Sequence, residues 1–180
     1  EEDDLYSAVI DTMKSRFSWL IIHLLSALLA AYVISLFAGT IQELVALAIL
    51  MPIVATMGGT ASIQTLTVAV RAIAMRELTP SNAYRTIGKE ITVGVLNGLI
   101  FASIIGFIVY AWFDSALLGV VIGLAIIVNL IVAGFVGSSL PIILQSLGFD
   151  PAVASSAFLT SITDIIGFYV FLGLAASLLL

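Results

Sequence analysis

The sequence predicts an all-α membrane protein with five transmembrane helices per protomer. Of the 180 residues, 62% are hydrophobic and 9% are charged, a composition far outside that of soluble domains. A hydrocarbon core about 30 Å thick needs roughly 20 apolar residues per helical span, and the sparse charges divide the chain into five such stretches. These stretches are too long and too uniformly apolar for transmembrane β-strands, which alternate over about 10 residues.

The same composition excludes a soluble enzyme domain, a secreted disulfide scaffold and a nucleic-acid binder. The chain has no cysteine, which removes disulfides, thiolate metal sites and cysteine catalysis. It has six Lys plus Arg and a net charge of −5, too few positive charges for a surface that follows nucleic-acid phosphates. A single histidine leaves little from which to build a nucleophile paired with a base. We therefore expect no enzyme activity and no organic cofactor.

Residues 1–16 are predicted to be a cytoplasmic linker and the polar end of the first helix. An acidic run, Glu1 to Asp4, opens the chain, and DTMKSR precedes the first apolar stretch. That stretch, residues 17–37, is long enough to span and is not the short apolar core of a signal peptide. Trp19 is expected near the headgroup level.

The second span, residues 44–74, is predicted to be kinked or locally unwound. It exceeds one crossing and contains Pro52 and the pair Gly58-Gly59. Membranes tolerate such interruptions where the freed backbone groups face protein or a watery cavity. A polar connection follows, and the third span is predicted over residues 91–112.

The fourth span, residues 115–146, is predicted to bend in its latter part. Gly134 and Pro141 interrupt an otherwise apolar pattern there. A tight turn follows, and Pro151 is expected at the first helical position of the fifth span, residues 151–178.

All the basic residues are expected on one side of the membrane. Two of them precede the first span and four lie between the second and third spans. The positive-inside bias therefore places the amino terminus in the cytoplasm and, after five crossings, the carboxy terminus outside. No internal repeat is evident, and an odd number of spans leaves room for a pathway formed between protomers. The basic residues are Lys14, Arg16, Arg71, Arg76, Arg85 and Lys89.

Asp164 is the one formal charge deep in an apolar span. A charge at such depth costs roughly 2.5 to 3.5 kcal/mol even on the milder insertion scale, so it normally faces a bundle interior or water. At 100° per residue, Ala157, Ser161 and Asp164 lie within about 40° of the direction of Asp150, and the four residues form one polar stripe. We interpret Asp164 as part of an ion or substrate path. The alternative is a protonated or internally hydrogen-bonded carboxyl group that holds helices together.

Other polar residues leave alternatives open. Asp150 either caps the fifth helix or adds a second cation contact. Residues 51–64, MPIVATMGGTASIQ, either line a pore for a hydrated cation or supply small residues at helix contacts. His23 is most simply a hydrogen-bonded structural histidine, with a metal ligand as the alternative. Asn97 and Asn129 are expected to tie helices together, with a position facing the pathway as the alternative. Glu90 is expected to act as an interfacial anchor beside the basic loop.

Two polar segments resemble the membrane domain of the MgtE magnesium channel family. They are PIVATMGGTASIQTLTVAVRAIA, residues 52–74, and DPAVASSAFLTSITDIIGFYVFLGLA, residues 150–175. The resemblance implies a homodimer with five helices per protomer and an Mg²⁺ path at the two-fold axis, lined by spans two and five. It implies that Asp164 is the central ion-site carboxylate, with Asp150 nearer the cytoplasmic mouth. The other pore-lining positions expected in these spans are Gly58, Gly59, Thr60, Gln64, Ala157, Thr160 and Ser161.

The chain departs from the family pattern at two positions. The family usually shows GGNxGxQ where this chain has GGTASIQ, so Thr60 replaces an amide and Ser62 replaces a glycine. Members also commonly carry an amino-terminal helical domain and paired CBS domains, which these residues do not contain. We expect either an excised membrane domain or a stand-alone relative, and cytoplasmic regulatory domains remain possible partners.

The predicted function is passage of Mg²⁺ through the plasma membrane into the cytoplasm, down its electrochemical gradient. A membrane potential of 100 mV contributes about 2.3 kcal/mol per charge, and thus about 4.6 kcal/mol for a divalent ion. Two alternatives are a proton-coupled divalent-cation carrier and a non-transporting membrane subunit.

Overall fold

The computed structural model describes the backbone of residues 2–180 and the side chains of residues 5–152 and 155–180. Every regular secondary-structure element in the described residues is an α-helix. Five of the helices are long and apolar enough to cross a membrane, as the sequence predicts. The helices are α1 (Glu2–Ser35), α2 (Ala38–Glu43), α3 (Ala46–Ala74), α4 (Ala83–Phe113), α5 (Ala116–Ser146) and α6 (Pro151–Leu178).

Two features at the start of the chain differ from the simple expectation. Helix α1 begins at Glu2, so it runs through most of the segment for which a linker and a helix end are predicted. The six-residue helix α2 is not predicted by the apolar pattern, because it lies between two spans and is too short to show a hydrophobic period. It ends where the Leu44 N–H donates to the Thr40 carbonyl, 3.1 Å away.

Helix α3 is continuous through Pro52 and the Gly58-Gly59 pair. Of the two predicted distortions, local unwinding is therefore wrong, and a kink stays a prediction. Pro52 lacks one N–H donor, but the surrounding turns keep their helical hydrogen bonds, as a lipid environment requires. Gly58 serves packing instead, because a Cβ atom at this position would collide with the Asn129 side chain of α5.

Helix α5 is the centre of the bundle and packs against α3, α4 and α6. It is also a continuous α-helix through Gly134 and Pro141, and the bend predicted in its latter part stays a prediction. Its glycines bring backbones together, since a Cβ atom on Gly119 would lie 2.6 Å from the Gly106 carbonyl oxygen of α4. The core between α3, α5 and α6 is apolar and fully buried, and it includes Leu50, Val54, Ile122, Ile126, Phe171 and Leu172.

Helix α1 lies at the edge of the bundle and packs mainly on α6. Ala30 is buried in this contact, whereas most other described side chains of α1 are exposed. Because those side chains are mostly apolar, the outer faces of α1 suit lipid or another protein chain.

The turn before α6 has the predicted geometry. Gly148 adopts a positive φ of 85°, a conformation that glycine tolerates without strain. The Asp150 carboxylate accepts the Ala152 N–H at 3.0 Å, and Pro151 is the first residue of the helix. The capping role considered for Asp150 is thus confirmed.

Candidate functional site

Asp164 lies half-buried on α6, in a groove between α6 and α1. The groove has a volume of about 200 Å³. Within the described part of the chain, the Asp164 carboxylate has no hydrogen-bond or ion-pair partner. The alternative of an internally bonded carboxyl group therefore lacks a bonding partner among the described residues. The groove is lined by His23, Ser26, Ala27, Thr160, Ser161 and Asp164.

Two serine hydroxyl groups that line the groove with Asp164 can accept hydrogen bonds. Ser161 Oγ donates to the Ala157 carbonyl at 3.0 Å, and Ser26 Oγ donates to the Ile22 carbonyl at 2.9 Å. Each hydroxyl donates its single proton to a carbonyl group of its own helix. Its oxygen lone pairs can still accept hydrogen bonds from other donors. Oxygen acceptors beside a carboxylate suit a cation or the water molecules around it.

The polar stripe predicted along α6 is only partly assembled. Thr160, Ser161 and Asp164 share the groove, whereas Ala157 is 0% exposed and faces the interior. Asp150 lies 14 residues before Asp164, about 21 Å along the helix, and caps the amino-terminal end. The structure therefore places three of the predicted α6 residues together and separates the other two from them.

Helix α3 has an exposed polar face that sequence reasoning recognised only in part. The polar residues of this face lie within about 80° of each other around the helix axis, at 100° per residue, and extend over roughly 22 Å of its length. Thr60, Gln64 and Thr67 line a groove of about 440 Å³ on this face. Polar side chains directed at lipid are costly, so the face suits water or a second polypeptide. We call Thr56, Thr60, Gln64, Thr67 and Arg71 the α3 polar face.

The two glycines of the predicted pore segment occupy different environments. Gly58 is buried against Asn129, whereas a Cβ atom on Gly59 would have no neighbour within 4 Å. Gly58 therefore has a packing role, and Gly59 adjoins open space. The helix-contact interpretation of residues 51–64 therefore holds at Gly58, and the pore-lining interpretation stays a prediction for the exposed side of the helix.

Asn129 ties three helices together, as predicted. It is 0% exposed, and its Nδ2 donates to the Val54 carbonyl of α3 at 3.1 Å. A Cβ atom on Gly167 of α6 would lie 2.7 Å from the same nitrogen, so glycines on both neighbouring helices make room for the amide. Its Oδ1 is buried and has no hydrogen-bond partner among the described residues.

A second polar groove, of about 270 Å³, lies among α3, α4 and α5. Glu90, Gln64 and Asn97 all line it. Asn97 is exposed and does not tie helices within the described region, in contrast to the prediction. Gln64 lines both this groove and the groove on the α3 polar face, so the two adjoin.

Residues 51–174 match the family model MgtE, which is described as a divalent cation transporter. The chain belongs to the MgtE family. The matched region begins within α3 and ends within α6, so it contains the α3 polar face, the Asn129 contacts and Asp164. Membership in MgtE, a transporter family, and the five apolar helices identify a multi-pass membrane protein.

Three relatives, each named magnesium transporter MgtE, match about nine-tenths of the chain. The Enterococcus faecalis protein is 34% identical over 91% of this chain and the Bacillus subtilis protein is 32% identical over 90%. The Thermus thermophilus protein is 32% identical over 92%. The chain spans 36% of the length of each of these relatives. The family assignment from the two polar segments is thus confirmed.

Proposed function

We propose that the protein is a homodimeric channel that passes Mg²⁺ into the cytoplasm. The observation that carries this proposal is the Asp164 carboxylate, which lies half-buried in an apolar span without a partner among the described residues. A carboxylate at this depth is costly unless it faces water or a counter-charge. A permeating cation supplies that counter-charge. The family match supports divalent cations as the substrate class, and the names of the three relatives support magnesium.

The chemistry of the groove suits a hydrated Mg²⁺ ion. Mg²⁺ keeps several of its water molecules and is usually held through one or two carboxylates. Among the described residues there is no group of three or more histidine, cysteine or acidic side chains that could form a metal cage. Asp164 with neighbouring hydroxyl acceptors matches the weaker, water-mediated binding that conduction requires.

The proposed pore lies at a two-fold axis between protomers. The α3 polar face and Asp164 are both accessible in a single protomer, so a second copy could enclose water between them. Two Asp164 carboxylates would then place a charge of about −2 near a +2 ion and offset part of its dehydration cost. At the cytoplasmic end, Asp150 would be the carboxylate that the ion passes after it leaves Asp164.

The orientation and driving force follow from charge. The basic residues cluster at one end of the five spans, which favours a cytoplasmic amino terminus in the plasma membrane. A negative interior potential then draws Mg²⁺ inward without ATP or a coupled ion.

The test compares Asp164→Asn with the matched control Asp150→Asn in proteoliposomes that contain an Mg²⁺ indicator. Asp164→Asn removes the central charge and keeps the side-chain shape, so we expect Mg²⁺ uptake to fall by about 100-fold, because a close carboxylate contributes several kcal/mol. Asp150→Asn keeps a capping side chain and should lose less than about tenfold. Size-exclusion chromatography with light scattering checks that both variants remain dimers. Unchanged uptake by Asp164→Asn would contradict the proposal and favour a non-transporting subunit.

A further inference from the structure

The groove at Asp164 contains a second ionisable side chain that the proposed pore does not use. His23 of α1 lines the groove together with Asp164 of α6. A volume of about 200 Å³ has room for roughly six or seven water molecules, so an ion and part of its water shell fit between the two helices.

His23 is available as a ligand in this position. Its side chain is exposed in the protomer, and within residues 5–152 and 155–180 its ring has no hydrogen-bond partner. The interpretation of His23 as a hydrogen-bonded structural residue therefore lacks a partner in the described structure. A neutral imidazole offers one nitrogen lone pair to a metal ion.

The other lining groups favour a cation over an anion. The described lining includes the Asp164 carboxylate and the Ser26 and Ser161 hydroxyls, and no lysine or arginine. Both serine protons are already donated to carbonyl groups of their own helices. The hydroxyl oxygens can therefore accept hydrogen bonds from water molecules bound to a metal ion.

We propose that His23 and Asp164 form a binding site for Zn²⁺ and similar transition-metal ions in the groove between α1 and α6. Imidazole nitrogen suits Zn²⁺, whereas Mg²⁺ prefers oxygen ligands. Zn²⁺ takes both histidine nitrogen and aspartate oxygen as ligands. His23 and Asp164 supply two protein ligands, which leaves the remaining positions to water, so binding is weaker than at sites with three or four protein ligands. Because Zn²⁺ and Mg²⁺ would share the Asp164 carboxylate, bound Zn²⁺ blocks Mg²⁺ passage. Only this blocking effect rests on the proposed function.

Zn²⁺ binding is measured by calorimetry on the purified dimer or protomer, with any polyhistidine tag removed. His23→Gln removes the nitrogen ligand and should raise the dissociation constant for Zn²⁺ by about tenfold or more. His23→Cys supplies a thiolate, another preferred Zn²⁺ ligand, and should restore binding to within about threefold. Ala27→Ser changes the lining of the same groove, keeps both proposed ligands and both serine hydroxyls, and serves as the matched control. Wild-type affinity in His23→Gln would overturn the site, as would an absence of Zn²⁺ binding by the wild-type chain.

Chemical modification gives a second measurement that needs no transport. The chain has a single histidine and no cysteine, so diethylpyrocarbonate modification of the imidazole reports on His23 alone. Zn²⁺ should slow this modification by about tenfold in the wild-type chain, and the protection should disappear in Asp164→Asn. Equal modification rates with and without Zn²⁺ would contradict the inference. If the wild-type chain shows Zn²⁺ protection of His23 but no Mg²⁺ uptake, the result would contradict only the channel proposal.

Discussion

Asn129 shows how one residue determines the separation of three transmembrane helices. Its buried amide donates to the Val54 carbonyl, and Gly58 and Gly167 leave the space that it occupies. Such interhelical hydrogen bonds average roughly 0.6 kcal/mol in membranes. The close packing around the amide therefore contributes more to the uniqueness of the arrangement than the hydrogen bond itself does.

Gly58→Ala should destabilise the bundle by about 1 to 3 kcal/mol, because the added methyl group overlaps the Asn129 side chain and forces the packed helices apart. Gly59→Ala is the matched control. Its Cβ atom meets nothing within 4 Å, and alanine is a better helix former by about 1 kcal/mol. Thermal unfolding in detergent measures both effects.

The double variant Gly58→Ala/Asn129→Ala identifies the cause. Removing the Asn129 amide makes room for the new methyl group, so the double variant should lose less stability than the sum of the two single variants. Additive losses would show that the Asn129 contact does not explain the requirement for glycine.

At the scale of an element, α3 has two faces with different roles. Gly58 and Val54 face the core, whereas the α3 polar face is exposed. The sequence places Thr, Gly, Ser and Gln together in residues 51–64 but does not show that they divide between faces. A single helix can therefore contribute both to the packed bundle and to the proposed water-filled path.

Single cysteines on the α3 polar face should react with water-soluble thiol reagents. The native chain has no cysteine, so Thr60→Cys and Thr67→Cys can each be labelled selectively in membranes. We expect them to react about tenfold or more faster than Phe107→Cys, because thiol reagents attack the thiolate, which forms only where water is available. Phe107 is 75% exposed on α4, and as an apolar residue expected to face lipid it serves as the control. Equal, slow labelling at all three positions would place the α3 polar face away from water.

At the scale of the whole molecule, the driving force for transport depends on whether the protein is a channel or a proton-coupled carrier. A channel requires only an open path and an electrical gradient. Its five spans need not alternate between two conformations in each transport cycle. A proton-coupled carrier would instead need Asp164 or His23 to take up and release a proton during each cycle. The difference can be measured without changing the sequence.

A potassium diffusion potential without a pH gradient should drive Mg²⁺ uptake into proteoliposomes. At 100 mV, inside negative, the potential supplies about 4.6 kcal/mol for a divalent ion, which is enough for accumulation through a passive pore. Uptake should disappear when the potential is set to zero at equal Mg²⁺ concentrations. A strict requirement for a pH gradient would favour the carrier.

Much of the fold follows from the sequence because a bilayer imposes strong rules on length and polarity. An uncharged stretch near the length of a crossing must form a helix, so all five long helices are confirmed. Asp164 could be selected for a related reason, since a charge within such a stretch is costly without a role. The Asp150 cap and the first-turn proline followed from local rules that need no tertiary information.

What the sequence by itself determined is the number of membrane-crossing helices, the family and the residue that most needs a polar environment. The tertiary structure decided which side chains meet: His23 beside Asp164, Asn129 against Gly58, and Ala157 in the core rather than in the groove. Helix periodicity assigns each residue a direction around its own axis but does not rotate one helix relative to another. That rotation is set by packing between helices distant in the chain, so contacts across helices become known only once the bundle is assembled.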